Sequence, residues 1–212
     1  MLLITHFSAQ FPEASLLSPN DGESWPPYGE HTVSWTGSDA DGDSVRYALQ
    51  YSSDGGSTWR AIATNLVGEI CALEAGRLAG SETAFLRGVV SDSVNTSQDK
   101  SDGTFTVEGK PPGAYILYPL DGSAFLPGKP VVLEGAGTDL EDGPLTSGTL
   151  FTWSLSLEGE LGVGRNLYFD DLLPGWHTIA LEVADSDGFV AQDSVSIFIG
   201  HRLYFPLIFR AN

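Results

Sequence analysis

The chain has a single cysteine, Cys71, in 212 residues. An internal disulfide is therefore excluded, and no CxxC or His/Cys metal spacing occurs. The surrounding "GEICALEAG" holds no histidine, which marks Cys71 as a small packed residue rather than a nucleophile. Basic residues are also scarce: 10 Lys and Arg stand against 28 Asp and Glu, a formal net charge of −18. Phosphate backbones and anionic lipids call for clustered cations, so nucleic-acid binding is excluded as a function class. No apolar run reaches the ~20 residues of a membrane-spanning helix. G-x-S-x-G, H-E-x-x-H and phosphate-loop patterns are all missing. The four histidines are scattered, with His31 and His177 at strand starts, where a polar edge residue is expected. Asp170-Asp171, beside "LLPG", reads as solvated loop rather than a glycosidase pair. The opening "MLLITHFSAQF" has no basic n-region, has a short apolar stretch and reads as a poor signal peptide. The expectation is either an export signal upstream in a longer precursor or a Met1 added to a fragment.

What the chain does have is enough apolar residue, 42%, for ordinary cores. It also has an internal repeat. "LLSPNDGESWPPYGEHTVSWTGSDADGD" from Leu16 matches "ILYPLDGSAFLPGKPVVLEGAGTDLEDG" from Ile116, with Asp21-Gly22, Gly37 and Asp39 recurring as Asp121-Gly122, Gly137 and Asp139. "AFLRGVVSDSVNTSQDKSDGTFTV" parallels "TIALEVADSDGFVAQDSVSIFI". A spacing this long marks whole domains, since solenoid units repeat every ~20–50 residues. The expected division is an extra N-terminal strand or remnant at 1–11, a sandwich at 12–108, a linker at 109–113, a second sandwich at 114–200 and an apolar tail at 201–212. Pro111-Pro112 makes the linker stiff rather than floppy.

Within each half the hydrophobic period is two. Val45, Tyr47, Leu49 and Tyr51 share a face, as do Phe151, Trp153, Leu155 and Leu157, and Ile179, Leu181 and Val183. Seven Asp-Gly pairs punctuate the chain as turns. The best helix candidate, "CALEAGRLAG", is broken by two glycines and is expected to be a loop with a short turn. Short strands and turns over ~100 residues predict an all-β chain of two tandem immunoglobulin-like β-sandwiches. Trp35 and Trp153, inside strand patterns, are expected between the sheets.

On these residues a resemblance can be stated. "SWTGSDADGDSVRYALQYSSDGGSTW" with "SDSVNTSQDKSDGTFTV" resembles bacterial fibronectin type III-like domains. "GTDLEDGPLTSGTLFTWSLSLEGELGVGRNL" with "LLPGWHTIALEVADSDG" resembles the PKD-like domains that often follow them. It carries "WSLSLEGELGVG" in place of the Trp-Asp-Phe-Gly-Asp-Gly core, as a divergent Ig-like member would. The resemblance covers about residues 12–200. It implies an extracellular, non-catalytic accessory module near the end of a secreted or surface protein.

In such sandwiches the B–C and F–G loops share one end. Asp39, Asp41 and Asp43 are then expected near Asp92, and Asp139, Glu141 and Asp142 near Asp185 and Asp187. Calcium takes 6–8 oxygens from flexible loops and is the candidate cation, bound weakly, on the order of 10⁻⁴–10⁻³ M. No twelfth-position glutamate makes "DADGD" an EF-hand. The alternative is a set of ordinary turns, because Asp side chains bond the local backbone. Trp25 and Trp59 flank loops and are candidate sugar-stacking residues. The tail "HRLYFPLIFRAN" places Leu203, Tyr204, Phe205, Leu207, Ile208 and Phe209 between two arginines. Such a strand is expected to pair with an edge of its own sandwich or with another molecule, since it should not stay bare in water. The reading is thus a structural spacer or interaction region, calcium-stiffened, partnered by neighbouring domains of a precursor. A self-assembling surface or filament subunit and a carbohydrate-binding module are the alternatives.

Overall fold

The computed structural model describes residues 8–156 and 159–201. They fall into two compact units divided between Lys110 and Pro111. In unit 1 a small sheet has the order β1-β3-β6, from β1 (Glu13–Ser18), β3 (Glu30–Ser38) and β6 (Ile70–Glu74). The larger sheet has the order β2-β9-β7-β4-β5: β2 (Ser24–Trp25), β9 (Phe105–Val107), β7 (Ser81–Ser91), β4 (Arg46–Ser52) and β5 (Arg60–Leu66). β8 (Thr96–Lys100) also pairs with β7.

Unit 2 repeats this plan, with β13 (Gly143–Leu145) added and one long strand, β18 (Val190–Ile199), in place of β8 and β9. Its small sheet joins β10 (Gly113–Tyr118), β12 (Val131–Asp139) and β16 (Asn166–Phe169), with β13 (Gly143–Leu145) added on β12. Its larger sheet has the order β11-β18-β17-β14-β15. These are β11 (Ala124–Phe125), β18 (Val190–Ile199), β17 (Gly175–Ala184), β14 (Phe151–Leu155) and β15 (Gly159–Val163). Each unit is an immunoglobulin-like β-sandwich, and the chain is all-β.

The period-two pattern positions both cores. Tyr47, Leu49 and Tyr51 of β4 are buried with Leu86 and Val90 of β7, Val33 and Trp35 of β3, and Phe105 of β9. In unit 2, Phe151, Trp153 and Leu155 meet Ile179, Leu181 and Val183 across Val131 and Leu133. Trp153 is fully buried and its indole N–H donates to Gly164 O at 2.7 Å. Gly135 takes an inward place on β12 because a Cβ there would lie 2.8 Å from Leu181. "CALEAGRLAG" departs from expectation. Its first residues belong to β6, which pairs Cys71 with Val33 and Leu73 with His31. Only Ala75–Arg77 form a 3-10 turn. Leu73 buries while Cys71 packs partly against the core, so the segment completes a sheet rather than a loop.

The first strand of each sandwich lies at a sheet edge, so half its N–H groups point away from its neighbour. Both units meet this with the same side chain. Asp99 Oδ2 on β8 accepts the Leu16 N–H at 2.8 Å, and Asp193 Oδ2 on β18 accepts the Ile116 N–H at 2.7 Å. Each bond ties the first strand to the opposite sheet, just before the register shift between Leu16 and Ser18 or between Ile116 and Tyr118. Asp99→Ala and Asp193→Ala each strand a part-buried amide, which costs about 1–3 kcal/mol. Calorimetry should therefore lower the unit 1 transition for Asp99→Ala and the unit 2 transition for Asp193→Ala, each leaving the other in place.

Candidate functional site

β3 and β7 end side by side in function: Asp39 follows the first and Asp92 the second. Asp39 Oδ1 accepts the amides of Asp41 at 2.9 Å and Asp43 at 3.1 Å, which folds the loop back on itself. Gly42, at φ +79°, supplies the left-handed turn. Asp92 Oδ1 does the same for Val94 at 2.7 Å and Asn95 at 2.5 Å. The remaining oxygens reach out. Asp41 Oδ2 accepts the amides of Ala9 at 2.8 Å and Gln10 at 2.9 Å, and Asp92 Oδ2 accepts the Ser8 hydroxyl at 2.7 Å. Asn95 Nδ2 donates to Gln10 O at 2.9 Å. Residues 8–10 are thereby held between the two loops.

Unit 2 builds the same corner more directly. Asp139 Oδ1 accepts the amides of Glu141 and Asp142 at 2.8 and 2.9 Å. Asp185 Oδ1 accepts those of Asp187 and Phe189, both at 2.9 Å. Asp142 bridges the loops itself, taking the Ser186 amide at 2.9 Å and its hydroxyl at 2.8 Å.

Among the described residues, one group of carboxylates brings its oxygens within 4.8 Å of one another: Asp39, Asp41 and Asp43. Asp92 is not in that group; it is only 8% exposed and its two oxygens are taken by amides and a hydroxyl. Asp139, Glu141, Asp142, Asp185 and Asp187 share a corner without converging in this way. In the first group Asp39 Oδ2 is buried and has no hydrogen-bond partner, while the Asp43 carboxylate accepts no bond among the described residues.

Of the two candidate sugar-stacking residues, Trp25 is corrected. Trp25 is 5% exposed, stacked on His31 at 4.5 Å and packed against Phe105 at 5.0 Å, because β2 carries it into the core beside β9. Trp59 is half-buried, with the Arg87 guanidinium 4.1 Å over its ring and its N–H on Gly56 O. Trp25 presents no free face for a sugar ring, and Arg87 covers one face of Trp59. Phe11, Tyr28, Tyr115, Tyr118, Tyr168, Trp176 and Phe189 are the exposed large aromatics among the described residues. His177 is also buried, with Nε2 2.6 Å from Leu173 O, rather than a polar strand edge. Leu203, Tyr204, Phe205, Leu207, Ile208 and Phe209 lie outside the described residues.

Burial pushes the Asp92 carboxyl up, but the amides of Asn95 and Val94 and the Ser8 hydroxyl outweigh it and hold the pKa at about 2. The amides of Gln10 and Ala9 hold Asp41 below its ordinary value. At the β4–β5 turn, Asp54 is held at about 2 by the Thr58 hydroxyl and amide and the Ser52 hydroxyl.

No family model and no curated protein matches the chain. Among solved structures, the fibronectin(III)-like modules of Clostridium thermocellum CbhA align over 91% of this chain and 100% of their own, at 16% identity and a TM-score of 0.38. The N-terminal four Ig domains of Dscam1 isoform 6.9 align over 90% of this chain and 46% of theirs, at 15% identity and a TM-score of 0.39. CopC from Methylosinus trichosporium OB3b aligns over 43% of this chain and 100% of its own, at 15% identity and a TM-score of 0.29. The fold assignment rests on the strand order of the two units.

A depressed carboxyl pKa means that the folded chain holds fewer protons than the unfolded one between the two values. The stability it contributes is full above the unfolded carboxylate value of about 3.9 and is lost as pH falls through the folded value. Unit 1 should therefore lose stability as pH falls from about 4 towards 2. Thermal melts of Asp92→Asn across that window should show a flatter dependence, and the Asp54→Asn/Asp92→Asn double variant a flatter one still.

Proposed function

We propose that the chain is a non-catalytic, extracellular spacer: two self-contained sandwiches forming a structural or accessory region of a larger secreted or surface protein. The observation that supports this reading is the use made of the carboxylates. Asp41, Asp92, Asp142 and Asp185 close the loop corners by accepting backbone amides and hydroxyls of their own unit. Acidic groups used in this way rigidify a module and leave a soluble, like-charged surface. Among the described residues no helix is long and apolar enough to cross a membrane. Light scattering on the full chain, in calcium and again in chelator, tests the reading. A single species near 22.6 kDa in both is expected. Particles of many subunits would instead make the chain a self-assembling surface element.

One observation favours a cation as part of that spacer. Asp39 Oδ2 is buried without a partner, inside the one group of carboxylates that converges among the described residues. Calcium at Asp39, Asp41 and Asp43 would neutralise the loop and stiffen unit 1. A site of roughly 10⁻⁴–10⁻³ M, at about 10 mM calcium, would stabilise unit 1 by about 1.4–2.7 kcal/mol. Calorimetry should show the unit 1 transition rising with calcium and the unit 2 transition unmoved. Asp43→Asn, which breaks no bond among the described residues, should abolish the rise. Equal melting in calcium and chelator would remove the cation from the reading and leave the spacer intact.

A further inference from the structure

β5 and β6 are the outer strands of the two sheets of unit 1, and each leaves one edge unpaired. Between them lies a cavity of about 390 Å³, within the roughly 300–1,000 Å³ of small-ligand sites. Its apolar lining includes Ile62, Leu73 and Leu78, with Cys71 beside them. Arg60 and Arg77 complete it. Arg60 begins β5 and Arg77 closes the 3-10 turn after β6. The two strands follow one another through the short Val67–Glu69 link, so both arginines stand at the end of the cleft away from that link.

Several other cations of the chain are already engaged. Arg87 is taken up by Gln50 and the Trp59 ring, Lys100 lies over Phe85, and Lys110 donates to Glu108 O. The side chains of Arg60 and Arg77 have neither a hydrogen bond nor an ion pair among the described residues. Two unpaired guanidinium groups beside an apolar slot, in a chain of net charge −18, form a local site for an anion. The planar guanidinium fork matches a carboxylate bidentately. Glu74 is the one carboxylate in the lining and opposes a second negative charge.

We propose that this cleft binds a small organic monocarboxylate, with its apolar body against Ile62, Leu73 and Leu78 and its carboxylate on Arg60 and Arg77. The site is independent of the spacer role and of calcium.

The chain's only cysteine reports on occupancy, because Cys71 lines the cavity. Burial pushes its thiol pKa up, so alkylation by iodoacetamide is followed at one fixed alkaline pH. Octanoate should slow alkylation of the full chain, and octanol at the same concentration should not. Arg60→Gln and Arg77→Gln should each raise the half-protecting octanoate concentration about tenfold, as loss of a charge-assisted bond does, with protection measured against each variant's own ligand-free rate. Glu74→Gln should lower it. Equal protection by octanol would reduce the cavity to an apolar crevice and overturn the proposal. No protection at millimolar octanoate would overturn it too. NMR titration of the unaltered chain supplies the check that needs no variant: octanoate must shift amides of β5, β6 and the 3-10 turn, and shifts confined elsewhere would reject the site.

Discussion

Each sandwich is held shut by a carboxylate that crosses from its last strand region to the amide of its first strand. A β-sandwich without a disulfide has no covalent tie between its sheets, and its first strand is an edge strand with outward N–H groups. Asp99 and Asp193 resolve both difficulties with one bond each. An ionised carboxylate is a stronger acceptor than a neutral carbonyl, and aspartate is short enough to hold it at a fixed place. The first strand can then change its pairing. β1 leaves β3 and the chain rejoins the opposite sheet as β2 beside β9; β10 and β11 do the same beside β12 and β18.

The same chemistry recurs at the loop corners. Asp39, Asp92, Asp139 and Asp185 each turn the backbone with one oxygen. The units part in how the two loops of the corner are joined. In unit 1 the corner grips residues 8–10, and in unit 2 Asp142 reaches Ser186 across the gap. Backbone amides and a cation compete for such oxygens. Asp39 Oδ2 and Asp139 Oδ2 are both buried without a hydrogen-bond partner, so what separates the corners is that among the described residues the carboxylates converge only around Asp39, Asp41 and Asp43.

Much of the fold is legible in the sequence because burial on one face writes a period of two. Tyr47, Leu49 and Tyr51, or Ile179, Leu181 and Val183, need no structure to be placed in a core. The hundred-residue echo of Asp21-Gly22 in Asp121-Gly122 likewise gives two modules. What escapes is anything shorter than a period. β2 is two residues long, so Trp25, set between Ser24 and Pro26, looks like loop until its parallel partner β9 is seen. β6 hides behind Gly76, which follows rather than interrupts it. Asp99 carries no local signal in "NTSQDK"; only the echo of Gln98-Asp99 in Gln192-Asp193 points to it. The tie from Asp41 to Ala9 joins residues far apart in sequence through backbone amides, which no side-chain pattern records.

The short parallel pairs have a mechanical consequence. In unit 1, Gly22 N–H donates to Thr104 O, Thr106 N–H to Glu23 O and Glu108 N–H to Trp25 O. In unit 2 the same three bonds recur as Gly122 to Ser196, Phe198 to Ser123 and Gly200 to Phe125. These patches join strands near the entry and exit of each unit and lie across the strand direction. Tension applied between the chain ends would draw the paired strands past one another. The three bonds would share that load at once, whereas an antiparallel hairpin pulled from its open end loses its bonds singly. Forced extension of such a unit is governed by the barrier to shearing the patch rather than by equilibrium stability. The two sandwiches, linked in series, would hold their length until one patch gives way.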